Sequence, residues 1–188
     1  MTAIQKSGVM SRSAAHDFVL RAYPLYLLIA LAASTTAIAG DPQFFLKLSE
    51  NGLAEIAAGK LAVSNSDRSS VRDFGAQVVQ DHTASNELLE SVARRSGERT
   101  ARRVGNADGE RLQRLSELQG GEFDVVYIQI QIDEHNRMIE LLEDESRNGT
   151  DRGARELSLR LLPEVRAHLD KTAKLAAEVS GGREPTQP

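Results

Sequence analysis

The 188-residue sequence contains no cysteine. That absence removes disulfide bridges, thiolate metal sites and thiol nucleophiles, and with them the lipid-modified cysteine of a bacterial lipoprotein anchor. Stability has to come from packing. Aromatic residues make up only 4% of the chain, too few to lay out the stacking platforms that nucleic-acid binding uses. A net charge of −4 at pH 7 gives no overall attraction for a polyanion, so nucleic acid is not an expected partner. There is no Gly-x-Ser-x-Gly elbow, no phosphate-cradling glycine loop and no dinucleotide fingerprint. The glycines fall instead at expected helix ends or inside the first expected helix. Strand-like alternation nowhere persists. What is present, 40% hydrophobic and 27% charged residues, fits one globular domain.

The N-terminus reads as an export signal occupying residues 1–39. Arg12 and Arg21 precede a compact apolar run from Leu25 to Ala33, and Ala37-Ile38-Ala39 supplies the small-x-small pattern before Gly40. The run is too short to span a bilayer comfortably; an uncleaved anchor is the alternative. Cleavage after Ala39 leaves a domain at residues 40–180 and a disordered tail at residues 181–188, and places the protein in the periplasm or outer envelope. The exported form is the more acidic one, because Lys6, Arg12, Arg21 and only one acidic residue, Asp17, are removed.

Beyond the signal, helical periodicity dominates. Asp41-Pro42 is a helix-start signal, and the first stripe reads Phe45, Leu48, Gly52, Glu55 or Ile56, Gly59, and Ala62 or Val63. Its small residues let a neighbouring helix approach closely, which sets Glu55 near the bundle axis; the competing reading makes Glu55 a boundary residue reaching water. Asn65-Ser66-Asp67 supplies a turn and cap for a second helix carrying Val71, Phe74, Val78, His82, Leu89 and Val92, ending near Gly97. Arg94, Arg95, Arg99, Arg102 and Arg103 then cluster where the periodicity stops. They offer a surface for an envelope protein or an anionic surface, or else a solvated connection in an acidic protein. A short helix around Leu112, Leu115 and Leu118 follows, broken at Gly120-Gly121. The central helix carries Phe123, Tyr127, Ile130, His135, Met138 and Leu142 and closes at a glycine cap, Gly149. Thr150-Asp151 starts the last helix, whose stripe is Leu157, Leu161, Val165, His168, Thr172, Leu175, with Pro163 predicting a kink or break. The fold class is all-α: an up-down four-helix bundle with an extra short helix in one longer crossover.

His82, His135 and His168 fall in the apolar stripes of three different helices, with Glu55 on the fourth, and a bundle can close such a set into one site. Imidazole and carboxylate donors suit a single transition-metal ion, zinc, iron, copper or manganese. Asp81, Glu134 and Glu164 are available to orient the rings from behind. Each histidine also has a plainer reading, a hydrogen-bonded packing residue.

Several linked motifs resemble the exported bacterial family filed as domain of unknown function 4142. These are Phe45-Leu46 through Ala54-Glu55-Ile56-Ala57-Ala58-Gly59-Lys60-Leu61-Ala62; Phe74-Gly75-x-x-Val78-Val79-x-Asp81-His82-Thr83; Phe123-Asp124-x-x-Tyr127 with His135; and Leu162-Pro163 with His168-Leu169. The resemblance covers nearly the whole exported chain. It implies a ferritin-like four-helix fold behind a signal peptide and an outer-membrane or periplasmic setting, and it supplies no activity. A ferritin-type di-iron centre uses Glu-x-x-His pairs, yet Val79 and Ile132 stand three residues before His82 and His135. A standard di-iron centre is therefore not expected.

Three readings follow. In the first, His82, His135, His168 and Glu55 bind one metal ion for metal handling or envelope stress protection. In the second, a non-catalytic envelope protein works by contact and its histidines only pack. In the third, a metal at the same site serves a redox enzyme. Convergence of the three ring nitrogens favours the first and third; dispersal beyond about 8 Å would remove both, because first-row metal–nitrogen bonds are only about 2 Å long.

Overall fold

The computed structural model of the protein describes residues 42–181. The expected signal peptide at residues 1–39, and the expected tail beyond Gly181, lie outside the described residues. Five helices account for the described chain: α1 (Pro42–Asn65), α2 (Ser69–Arg95), α3 (Asn106–Ser116), α4 (Gly120–Asn148) and α5 (Arg152–Ser180).

The helix ends follow local chemistry, with two departures from expectation. Pro42 is the first helical residue of α1, where its missing N–H leaves no bond unmade. The residue at the α2 N-cap is Arg68, which makes no side-chain cap. Ser66 does other work there: its hydroxyl accepts from the Arg68 N–H at 3.1 Å and donates to the buried carboxylate of Asp124, tying the α1–α2 turn to the start of α4. Gly149 does close α4, but with φ −58 rather than a left-handed cap. Glycine suits that position because a Cβ would lie 2.6 Å from the Glu145 backbone carbonyl oxygen. At Pro163, where the sequence predicts a kink or a break, α5 is continuous. Pro163 lies on the exposed side of that helix, and the carbonyl it leaves without an N–H belongs to Leu159, itself 60% exposed and open to water. The expected start of α5 holds, since Asp151 accepts from the Ala154 N–H at 2.7 Å.

The neighbouring pairs in the bundle are α1 with α2, α4 with α5, α1 with α4, and α2 with α5. Asn65, at the end of α1, donates to the carbonyl of Leu118, just before α4. Asn51, farther back along α1, donates to Glu134, farther along α4, so these two helices are antiparallel. Contacts between Gln77 and Lys171, and between Ser85 and Glu164, make α2 and α5 antiparallel in the same way. The crossover through α3 therefore carries the chain back to the end at which α2 began. α2 and α4 run in the same sense, and every neighbouring pair is antiparallel.

Close approach of α1 to α2 rests on glycine, as the stripe of small residues predicts. A Cβ on Gly59 would lie 2.7 Å from the Gly75 carbonyl oxygen, and one on Gly75 would lie 2.6 Å from the Ala62 Cβ. The core is divided in two. One apolar cluster gathers Phe44, Phe45, Leu48, Leu89, Val92, Met138, Leu142 and Leu157. The other gathers Val71, Phe74, Val78, Phe123, Tyr127, Ile128 and Leu175. Between them lies a polar layer.

Candidate metal centre

That layer holds the three histidines. On α2, His82 falls between Val78 of one cluster and Leu89 of the other; on α4, His135 falls between Ile128 and Met138; on α5, His168 falls between Val165 and Leu175. Helical periodicity turns all three inward, and each is at most 4% exposed. Their ring centroids form a near-equilateral triangle with sides of 5.9, 5.6 and 5.4 Å. One ring nitrogen of each lies within 4.8 Å of one nitrogen of each of the others.

Hydrogen bonds identify the engaged nitrogen on two of the rings. His135 Nδ1 lies 2.8 Å from the Gln131 carbonyl; a carbonyl only accepts, so Nδ1 carries the proton and Nε2 keeps its lone pair. His168 Nε2 lies 2.9 Å from Asp81 Oδ2 and by the same reasoning donates, which leaves Nδ1. His82 Nε2, His135 Nε2 and His168 Nδ1 are buried without a hydrogen-bond partner, one nitrogen from each ring. Burial, reinforced by the other two rings, holds His82 well below the usual histidine range. Burial also lowers His135 to about 4, against the opposing pull of the Gln131 carbonyl. Both rings are neutral at pH 7, the state a metal ligand requires. Tetrahedral nitrogen donors at metal–nitrogen distances of 2.0–2.1 Å stand about 3.3 Å apart, so ring nitrogens up to 4.8 Å apart would have to draw closer to share one ion.

The carboxylates named with the histidines take separate roles. Asp81, the neighbour of His82 in the sequence, accepts from His168 on α5 instead. Glu55 is 1% exposed, so it is not a boundary residue reaching water. It stands outside the histidine group, held by Gln131, whose side-chain amide donates to it at 2.7 Å. Burial raises Glu55 to about 8; it is protonated at neutral pH and a poor ligand in that state. Glu134 turns away from the rings to accept from Arg111, Arg137 and Asn51. Glu164 accepts from Ser85 at 3.0 Å. The residue that sequence reasoning passed over is Gln131, one turn before His135 on the same stripe. Its carbonyl fixes the His135 ring while its side chain holds Glu55. Its position in the stripe was the available signal.

Of the five clustered arginines, Arg94 and Arg95 belong to the last turn of α2, where positive charge suits the helix dipole. Arg99, Arg102 and Arg103 lie in the connection at residues 96–105, which is pinned to α1 where the Ala101 N–H donates to Ser49 Oγ at 2.7 Å. Among the described residues no helix is long and apolar enough to cross a membrane.

A family model described as "Domain of unknown function (DUF4142)" matches residues 29–175, and the chain belongs to that family. No curated protein and no solved structure matches it.

Proposed function

For a member of that family, we propose an exported, ferritin-like helical bundle that binds one transition-metal ion through His82, His135 and His168 and handles that metal in the cell envelope. One observation carries the reading: three buried imidazoles bring ring nitrogens within 4.8 Å of one another between two apolar clusters, and each ring has a buried nitrogen without a hydrogen-bond partner. Packing alone gives no reason for that arrangement, since each unpaired buried nitrogen costs about 1–3 kcal/mol. A cation with three vacant acceptor sites would meet all three demands together. The Gln131 carbonyl and the Asp81 carboxylate supply the outer support that fixes ring tautomer and raises ligand basicity. Imidazole donors accept zinc, iron, copper or manganese. When bound, the ion would supply a Lewis-acid centre with a coordination position that the three histidines do not fill. The ferritin-like reading is supported by the single long crossover that makes every neighbouring pair antiparallel. Export is supported by the arginine-flanked apolar run before Gly40.

The test is metal content by mass spectrometry after purification from an exporting host, wild type beside a His82→Ala/His135→Ala double variant. Near-stoichiometric metal that disappears in the folded variant is the expected result. Absence of metal from the wild type, with no thermal shift on adding the four ions, would reject the reading. A second reading, an envelope protein acting by contact, draws support from a surface cleft of about 150 Å³ lined by Arg94, Arg99 and Arg102 together with Glu90 and Glu98. It would bind anionic vesicles, and Arg99→Ala/Arg102→Ala would weaken that binding.

A further inference from the structure

The three proposed ligands come from α2, α4 and α5, so the unfilled quadrant of the layer faces α1. At that height α1 offers no donor. Glu55 is occupied by Gln131, and Gly52 presents no side chain. A small cavity of about 10 Å³ opens beside this gap, bounded by Gly52 on α1, His82 and Asn86 on α2, and Leu161 and Glu164 on α5. That volume is about what one water molecule occupies. Its outer residues, Ser85, Asn86 and Glu164, are half-buried, and the Ser85 hydroxyl donates to Glu164 across the mouth at 3.0 Å.

Resting on the metal reading above, we propose that this slot admits a neutral, water-sized ligand to the coordination position left open by the histidines. Size is limited by the cavity. Charge is limited by its lining, which contains no lysine or arginine and one carboxylate, Glu164, at the mouth. An anion would meet that carboxylate and then a largely apolar passage, and desolvation would penalise it further. Glycine at position 52 keeps the slot open: a Cβ there would collide with the Asn86 amide, lying 2.9 Å from its Cγ and Nδ2. The far end of Asn86 would have to swing aside, and the slot is the adjoining space.

Nitric oxide is a suitable probe because it is neutral, diatomic and binds ferrous iron with a distinct EPR signal. The full chain is loaded with ferrous iron without oxygen, bound iron is measured by mass spectrometry, and appearance of the nitrosyl signal is timed with and without azide. The expected result is rapid signal in the wild type, indifferent to azide. Gly52→Ala should slow it about tenfold, equivalent to about 1.4 kcal/mol of added barrier, with bound iron unchanged. Gly52→Ala/Asn86→Ala should restore the rate, which a general packing defect would not do. Bound iron that gives no nitrosyl signal, or equal rates in wild type and Gly52→Ala, would overturn the slot while leaving the metal reading intact. Failure to bind iron or any other ion would remove the metal reading and the slot with it.

Discussion

Glu134 and His135 are neighbours in the chain, and both are buried, yet their surroundings differ completely. Glu134 turns toward α1 and α3, whose Asn51 and Arg111 donate to its carboxylate together with Arg137 of α4 itself. His135, about 100° further round the helix, turns toward the axis and meets two more rings with the same unmet need. A buried polar group that has its partners contributes modestly, while one left alone costs about 1–3 kcal/mol. The first arrangement holds α3 onto the bundle. The second costs stability in the metal-free protein, and a bundle able to bury leucine at those positions has no structural need for it.

Metal addition divides the two clusters most sharply. At free metal a thousandfold above Kd, the gain is about 4 kcal/mol, read as a rise in melting temperature. Glu134→Gln should keep that rise, because its cluster touches none of the three rings. His135→Leu should lose it. A rise that depends on Glu134 instead would move the site to the α1–α3 side.

Glu55 lies between the two extremes, buried with Gln131 as its hydrogen-bond donor. Its pKa is raised from an ordinary 4.5 to about 8, so across that window the native state holds a proton that the unfolded chain has released. Stability rises with pH only where the unfolded state binds more protons; here it binds fewer, and stability falls as pH rises. The slope is about 1.4 kcal/mol per pH unit. Glu55→Gln keeps an acceptor for Gln131 and removes the slope. Urea denaturation of both proteins should agree near pH 4.5 and favour the variant by about 3 kcal/mol at pH 7.

Breaking the satisfied cluster has a smaller effect. Glu134→Gln leaves Arg111 and Arg137 without their shared counter-charge, but those side chains are 31% and 53% exposed and water takes over part of the loss. A destabilisation of about 1–2 kcal/mol is expected by urea denaturation.

Much of this was legible in the chain. The stripe Val78, His82, Leu89 and its counterparts around His135 and His168 set three histidines facing inward, because helical period and apolar spacing jointly determine that direction. Gly59 announced the close α1–α2 contact. What periodicity could not convey was which buried carboxylate meets which partner. Glu55 and Glu134 are both buried, and only the packed bundle shows that Gln131 takes one and two arginines take the other. Ser66 looked like a helix cap and instead reaches Asp124 across the bundle, a contact between residues far apart in sequence. Pro163 signals a kink or a break in the sequence, and the exposure of its helix face is what lets α5 continue without a break.

The comparison is sharpest where the sign of an effect is at stake. His82→Leu replaces a ring whose Nε2 has no partner with a side chain suited to the apolar clusters on either side. In the metal-free protein this should raise stability by about 1 kcal/mol, because the desolvation cost of an unpaired nitrogen disappears. It should also abolish the metal-induced rise in melting temperature. Glu134→Gln, on another helix, lowers stability and keeps that rise, so the two substitutions have opposite signs in stability and differ in whether the metal-induced rise survives. If His82→Leu instead destabilised the metal-free protein by an amount similar to Glu134→Gln, the ring would be a satisfied packing residue. The contrast between the two buried clusters would then fail.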